Sequence, residues 1–347
     1  MSLESHEVKI KITSRRKKAV YQIKNFIEYE IKMDLDDDCG TFSFSIGNVN
    51  GQYSGYFSMF DKVSCYVNGK LVMKGRVDSV EYKYDKTDDI IVIEGRDYCQ
   101  KLVDNDQTPC KKSKKTKTNV KSYIKKICKN RSLKCSIYSG SIPAFKGLSI
   151  GCDESCLSVI QNLLADTELK VWWQADKLHI NKWNLKGSAK YNISDAGIEE
   201  VGYKENGKDI RTRVIMYQTD KKGKYHKKKT IKNGSIHKVI GKTSRHKKYA
   251  DESRVKLKNA GVKKMKEGYI NILELNLKVK PTDIVYMPNS CAKVSISKLG
   301  INTKFFIRGV TYAKDYDTGT SVELTLIVAN TSYNQAYKLK NITNTPK

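Results

Sequence analysis

Two stretches decide the fold: Gly75-Arg76-Val77-Asp78-Ser79-Val80-Glu81-Tyr82 and Ile307-Arg308-Gly309-Val310-Thr311-Tyr312. Each is a strand with a V-x-Y ending. Each is followed by a Tyr-Asp turn, Tyr84-Asp85 and Tyr316-Asp317, and then by an apolar closing strand, Ile90–Ile93 and Val322–Leu326. A leading strand opens each set, Asp61-Lys62-Val63 in the first and Asp283-Ile284-Val285 in the second. The order is the same in both, so the chain reads as two related β units.

The residues around the first stretch extend this reading over 1–104. Val8, Ile10 and Ile12 alternate with lysines. Tyr29, Ile31, Met33 and Leu35 alternate with charged residues, and Phe42, Phe44 and Ile46 with Ser and Thr. A period of two marks strands with one buried face. Asn68-Gly69 lies between Val63–Val67 and Leu71–Met73, a hairpin signal because both residues of a tight type I′ turn need positive φ. These strands form a meander expected to close as a barrel.

Residues 105–190 change period. Thr118 is positioned to cap a helix with Val120, Tyr123, Ile124, Ile127 and Cys128 on one side. Asp153 is positioned to cap another, with Cys156, Leu157, Ile160, Leu163 and Leu164 inward. Lys134–Tyr138 reads as a short strand, and Val171–Trp173 with Leu178–Ile180 as a hairpin. The segment is a small α+β domain. Residues 191–330 return to strands, clearest at Arg211–Gln218, Asp283–Met287, Lys304–Tyr312 and Ser321–Val328, with a helix near 250–267. Residues 331–347 read as a polar tail. The fold class is therefore mainly β, two related β-barrel domains flanking a small α+β insert.

Two like units per chain have a geometric use. Three chains supply six similar units around an axis, so a homotrimer can match a six-fold tube on one side and a three-fold spike on the other.

Composition limits the function. The 347 residues carry 65 Lys and Arg against 37 Asp and Glu, a net charge of +28. Residues 110–131 hold ten basic residues and no acid, and residues 220–248 hold twelve and one acid. Such fields attract polyanions. No apolar run nears the roughly 20 residues of a membrane span. Met1 to Lys18 lacks the apolar core of a secretory signal, so assembly in a cytoplasm is expected. The nine cysteines are expected as reduced, packed thiols. Cys152 and Cys156 are spaced C-x3-C but lack two further ligands nearby, with His179 alone in range of sequence.

No HExxH, G-x-S-x-G or phosphate-loop pattern is present. Asp34, Asp36, Asp38 and Gly40 fail the calcium-loop register, which would need glycine at Cys39 and glutamate at Ser45. Glu199, Glu200 and Glu205 do not form a glycosidase pair. Of the histidines, His226, His237 and His246 fall in or near basic loops. Trp172, Trp173 and Trp183 could stack sugars or bases, but a core or interface role is the better reading. No catalytic, cofactor-binding or metal-ligating residue is assigned, no cofactor is expected, and the protein is expected not to be an enzyme.

The series Cys39-Gly40-Thr41-Phe42-Ser43-Phe44-Ser45, Asn50-Gly51-Gln52-Tyr53-Ser54, Asp61–Gly69, Gly75-Arg76-Val77-Asp78, Gly95-Arg96-Asp97 and Leu102-Val103-Asp104 resembles the start of phage tail hub proteins. These include the Mu-type hub, its Gram-positive prophage relatives and R-type bacteriocins (tailocins). Lys280–Asp283, Phe306–Val310 and Leu324–Leu326 look like that family's last barrel. The resemblance implies a trimeric baseplate ring that contacts tail tube, central spike, wedge and tape-measure proteins. Nucleic acid enters only as cargo in its lumen, and no membrane is contacted directly. The strong positive charge departs from what the resemblance implies. The alternatives are a basic nucleic-acid-binding protein, for which no recognition motif is present, and a cell-wall-active tail-tip enzyme.

Overall fold

The computed structural model describes residues 6–84, 89–111, 117–146, 148–165, 167–208, 213–219, 225–232, 246–251 and 272–329. The expected tail at 331–347 and residues 252–267 of the expected helix lie outside these residues.

The alternating N-terminal pattern yields strands that bury every second side chain. They are β1 (Val8–Ser14), β2 (Ala19–Ile23), β3 (Glu28–Asp34), β4 (Thr41–Gly47), β5 (Lys62–Val67), β6 (Lys70–Tyr84) and β7 (Asp89–Asp97). Ile10, Ile12, Ile31, Phe42, Phe44, Ile91 and Ile93 are all buried in one core. Asn68 (φ 45°) and Gly69 (φ 74°) make the β5–β6 turn, both in the left-handed region as read from the sequence.

The middle segment contains α1 (Gln100–Val103), β8 (Cys110–Lys111), β9 (Lys117–Thr118), α2 (Val120–Asn130), β10 (Cys135–Ile137), β11 (Phe145–Lys146), β12 (Ser149–Ile150), α3 (Cys156–Leu164), β13 (Lys170–Gln174) and β14 (Lys177–Asn181). Helices α2 and α3 share a separate core with Leu178 and Ile180 of the β10-β14-β13 sheet. Both expected caps shift toward the helix. The Asn119 side chain, not Thr118, accepts the Ser122 N–H, and Ser155, not Asp153, accepts that of Ser158. Thr118 instead belongs to β9 and is buried.

The last segment contains β15 (Ala189–Ser194), β16 (Ile198–Glu205), β17 (Arg213–Thr219), β18 (Tyr225–Lys232), β19 (His246–Asp251), β20 (Leu273–Val279), β21 (Ser290–Ile296), β22 (Ile301–Asp315) and β23 (Gly319–Val328). Strands β18-β17-β19 form their own sheet between β16 and β20 in the chain. That sheet carries Tyr225–Lys232 and His246–Lys248 of the second basic stretch. Residues 250 and 251, expected to begin a helix, end β19 instead.

Asp283–Met287 is not a strand. It runs as a loop, and β21 takes the expected leading-strand place several residues later. Pro281 and Pro288, which lack an N–H for a ladder, bracket that loop.

Thirteen described strands form one sheet, in the order β16-β20-β23-β22-β3-β4-β7-β6-β5-β1-β2, with β21 beside β22 and β15 beside β21. The N-terminal half reads β3-β4-β7-β6-β5-β1, and the C-terminal half reads β16-β20-β23-β22-β21-β15. Taken in chain order, the strands of each half occupy the same places. The echo in the sequence is therefore a repeated topology. Two differences stand out: β1 pairs β5 antiparallel while β15 pairs β21 parallel, and β2 has no counterpart. Among the described residues the ladders do not close each unit on itself; β3 pairs with β22 and makes the two units one sheet.

Candidate functional site: the seam and its uncovered counterpart

Strand β22 changes partner along its length. Ile301–Ile307 pairs with β21, and Gly309–Lys314 pairs with β3. Between the two sections lies a bulge against β23 at Arg308, where Ile307 faces Leu326 and Gly309 faces Thr325. An extra residue in one strand bends it and re-aims the side chain. Here it delivers a guanidinium to three carboxylates: Asp34 at 3.2 Å, Asp36 at 3.7 Å and Glu274 at 3.1 Å.

Burial opposes the Arg308 charge, but Asp34, Asp36 and Glu274 outweigh it and raise its pKa. At Asp36 the balance is reversed, and burial wins. Its partial burial raises its pKa despite the arginine. A Cβ on Gly309 would sit 2.7 Å from an Asp34 carboxylate oxygen, so glycine is needed for that approach. The covering strand leaves Tyr312 fully buried, its hydroxyl donating to Tyr286 O at 2.7 Å. Lys314 Nζ donates to Phe26 O at 2.6 Å.

Strand β6 repeats this design, without a covering strand among the described residues. Lys70–Arg76 pairs with β5, and the bulge against β7 falls at Asp78, with Val77 facing Gly95 and Ser79 facing Glu94. Asp78 and Arg308 both stand two residues before the V-x-Y ending, so the bulges coincide in the repeat. The charges are reversed: the bulge residue is now the acid, and Arg96 binds Asp78 at 2.6 Å and Asp104 at 2.8 Å, which hold it protonated. Tyr82 occupies the place of Tyr312, and its hydroxyl lies 3.5 Å from Phe57 O, as Tyr312 meets Tyr286 O. Yet Tyr82 is 42 % exposed and Tyr84 84 % exposed. Among the described residues, no strand lies beside Ser79–Tyr84 on the β5 side.

The residues singled out from the sequence are mostly packing residues. Trp172 is buried and stacks on His179, Trp183 stacks on Phe306, and Trp173 packs edge-on to Tyr98 and donates to Ala175 O. Trp172 joins Leu35, Phe306 and Ile327 in a cluster that fixes the α+β segment to the C-terminal strands. Cys152 is exposed, while Cys156 is buried and lies 3.6 Å from Gln107. Asp34 and Asp36 serve Arg308. The side chains of His226, His237 and His246 lie outside the described residues.

One group was not visible in the sequence. Cys39, Asp97 and Cys99 place their ligand atoms within 4.8 Å of one another. The Asp97 carboxylate accepts the N–H of Gly40 at 2.6 Å and of Cys99 at 2.7 Å, which ties the β3–β4 loop to the end of β7. Burial drives its pKa up to about 7 against those two N–H groups. Among the described residues, no helix is long and apolar enough to cross a membrane.

The fold is similar to those of solved phage tail proteins. The tail protein of Neisseria meningitidis MC58 is similar with a TM-score of 0.76 and 17 % identity, over 93 % of this chain and 96 % of that one. The 43 kDa tail protein of prophage MuSo2 from Shewanella oneidensis gives 0.73 and 15 %, over 94 % and 99 %. A type VI secretion component of Escherichia coli, itself described as structurally similar to the T4 tail proteins gp27 and gp5, gives 0.56 and 11 %, over 87 % and 73 %. No curated protein sequence matches the chain. Residues 20–97, within the first β unit, match the family model described as Mu phage baseplate assembly protein GpP-like, N-terminal.

Proposed function

We propose that this chain is the structural hub of a contractile phage tail or tailocin baseplate. Three copies form a ring that presents six similar β units to the tail tube and three-fold symmetry to the central spike. Wedge and tape-measure proteins complete its surroundings, and the assembly is made in a bacterial cytoplasm before it becomes part of the particle. Its role is mechanical, and no catalytic step is assigned to it.

The observation that carries this reading is the repeated strand order joined at the β3–β22 seam. One polypeptide thereby holds two like units side by side, the arrangement that lets a trimer fit a six-fold neighbour. The GpP-like match of residues 20–97 supports the same reading.

The test is the mass of the purified full-length chain by light scattering, with electron-microscopic class averages. A three-copy ring with six lobes is expected. A chain that stays monomeric at high concentration and fails to associate with tube or spike subunits overturns the proposal.

A further inference from the structure

We infer that Cys39, Asp97 and Cys99 form a binding site for a thiophilic divalent cation of the zinc class, which clamps the first β unit to the α+β segment. The site does not depend on the hub reading.

The three side chains come from two places in the fold. Cys39 lies in the β3–β4 loop, Asp97 ends β7, and Cys99 stands immediately before α1. Both cysteines pack on the α+β core. Their thiols hydrogen-bond to each other, and the two sulfurs and an Asp97 carboxylate oxygen lie within 4.8 Å of one another. Among the described residues this is the one group of three such ligands held so close. The backbone fixes it. The N–H groups of Gly40 and Cys99 donate to different Asp97 oxygens, at 2.6 and 2.7 Å. The Asp97 N–H in turn donates to Gly40 O at 2.9 Å. A Cβ on Gly40 would lie 2.7 Å from Met73 Cε and 3.0 Å from Asp97 Oδ2, so glycine lets the loop come this near.

Packing alone accounts for buried thiols, which behave as small hydrophobes. It does not account for the acid. A buried carboxylate calls for a cation, and among the described residues Asp97 has no ion pair. Arg96, its neighbour in the chain, is already bound by Asp78 and Asp104. The donor set selects the ion. Zinc accepts thiolate and carboxylate ligands together, whereas calcium and magnesium take oxygen ligands. A carboxylate has about four acceptor positions, so the two N–H bonds leave each Asp97 oxygen one for a metal and also fix its direction. Cys99 is buried and Cys39 half-buried, so an ion enters past Cys39. The small cavity that Cys39, Asp97 and Asp38 border supplies a water as fourth ligand. On binding, each thiol releases its proton to solvent and its sulfur becomes a thiolate ligand; nothing is oxidised or reduced.

The test uses the full-length chain, reduced and stripped with a chelator, a state in which Asp97 is free to take up a proton. Titrated with cobalt(II), a spectroscopic stand-in for zinc, it should develop a sulfur-to-cobalt charge-transfer band that saturates at about one ion per chain and is lost when zinc(II) is added. Cys39→Ser and Cys99→Ser should each weaken cobalt binding at least about tenfold, while Cys128→Ser and Cys152→Ser leave it unchanged. Should either of the first two variants fail to fold, the unmodified chain decides. There zinc(II) should slow alkylation of Cys39, mapped by peptide mass spectrometry, about tenfold. A folded chain that gives no thiolate band, or whose Cys39 alkylates equally fast with and without zinc, overturns the site. A band that survives both Cys39→Ser and Cys99→Ser assigns the ion to other cysteines and overturns it as well.

Discussion

The two β units place a tyrosine at the same point of the same strand, and treat it oppositely. In the C-terminal unit β3 lies over the end of β22, and Tyr312 is fully buried. In the N-terminal unit the end of β6 has no such cover among the described residues, and Tyr82 is 42 % exposed. The bulges match, and so do the contacts from each tyrosine to the neighbouring loop. The difference thus comes from which strand stands alongside and not from the local sequence. A repeated unit inside one chain has an inner boundary that folding completes and an outer boundary that, among the described residues, has no strand beside it.

The sharpest way to break this comparison is to make the same substitution on both sides. Tyr312→Ala removes a fully buried ring and its hydrogen bond, and should cost about 3–5 kcal/mol in a denaturant melt. Tyr82→Ala in the isolated chain should cost under about 1 kcal/mol and show its effect in association instead. Equal losses in the two variants would mean that the units are not treated differently by the fold.

The bulge charges offer the next test. Arg308→Ala leaves Asp34 and Glu274, whose side chains are 12 % and 23 % exposed, without their partner, and should cost about 3 kcal/mol. Arg96→Ala breaks a more exposed set, with Arg96 at 32 % and Asp78 at 30 %, and should cost about 1 kcal/mol. Urea midpoints at constant m-value would read the difference.

How far each unit was legible follows from the range of the forces involved. Period-two alternation is local, so Ile31, Phe42 and Ile93 were readable as inward-facing. The Asn68-Gly69 turn was readable because two adjacent residues must both reach positive φ. The helix starts were readable only to within a residue or two. Thr118 and Asn119 are both able to cap, and the choice went to the one not held in β9. The short apolar run at Asp283–Met287 suggests the leading strand of the second unit, but the flanking Pro281 and Pro288 keep it out of the ladder. The seam was not legible. Alternation shows that β3 and β22 each have a buried face, and does not say that they lie side by side. The one available signal was a charge inside an apolar strand, Arg308 between Ile307 and Gly309, which needs acids brought from elsewhere. Cys39, Asp97 and Cys99 were equally hidden, since only the β4–β7 ladder brings the β3–β4 loop to the end of β7.

Asp97 turns the last contrast between the units into a pH dependence. It ends β7, whereas β23 ends in the buried apolar residue Val328. Its two N–H donors favour the charged form, but complete burial wins and raises its pKa from 3.8 to about 7. The folded state therefore binds the proton more tightly than the unfolded chain. The stabilisation is fully present below about pH 4, is lost as pH rises toward about 7, and changes no further above that. One such group can change stability by at most about 1.4 kcal/mol per pH unit. Chemical melts at pH 5, 6, 7 and 8 should show a decline that flattens near neutrality, and Asp97→Asn, which cannot ionise, should lose that slope even though it starts from a lower stability. An unchanged slope in the variant would assign the titration to another group.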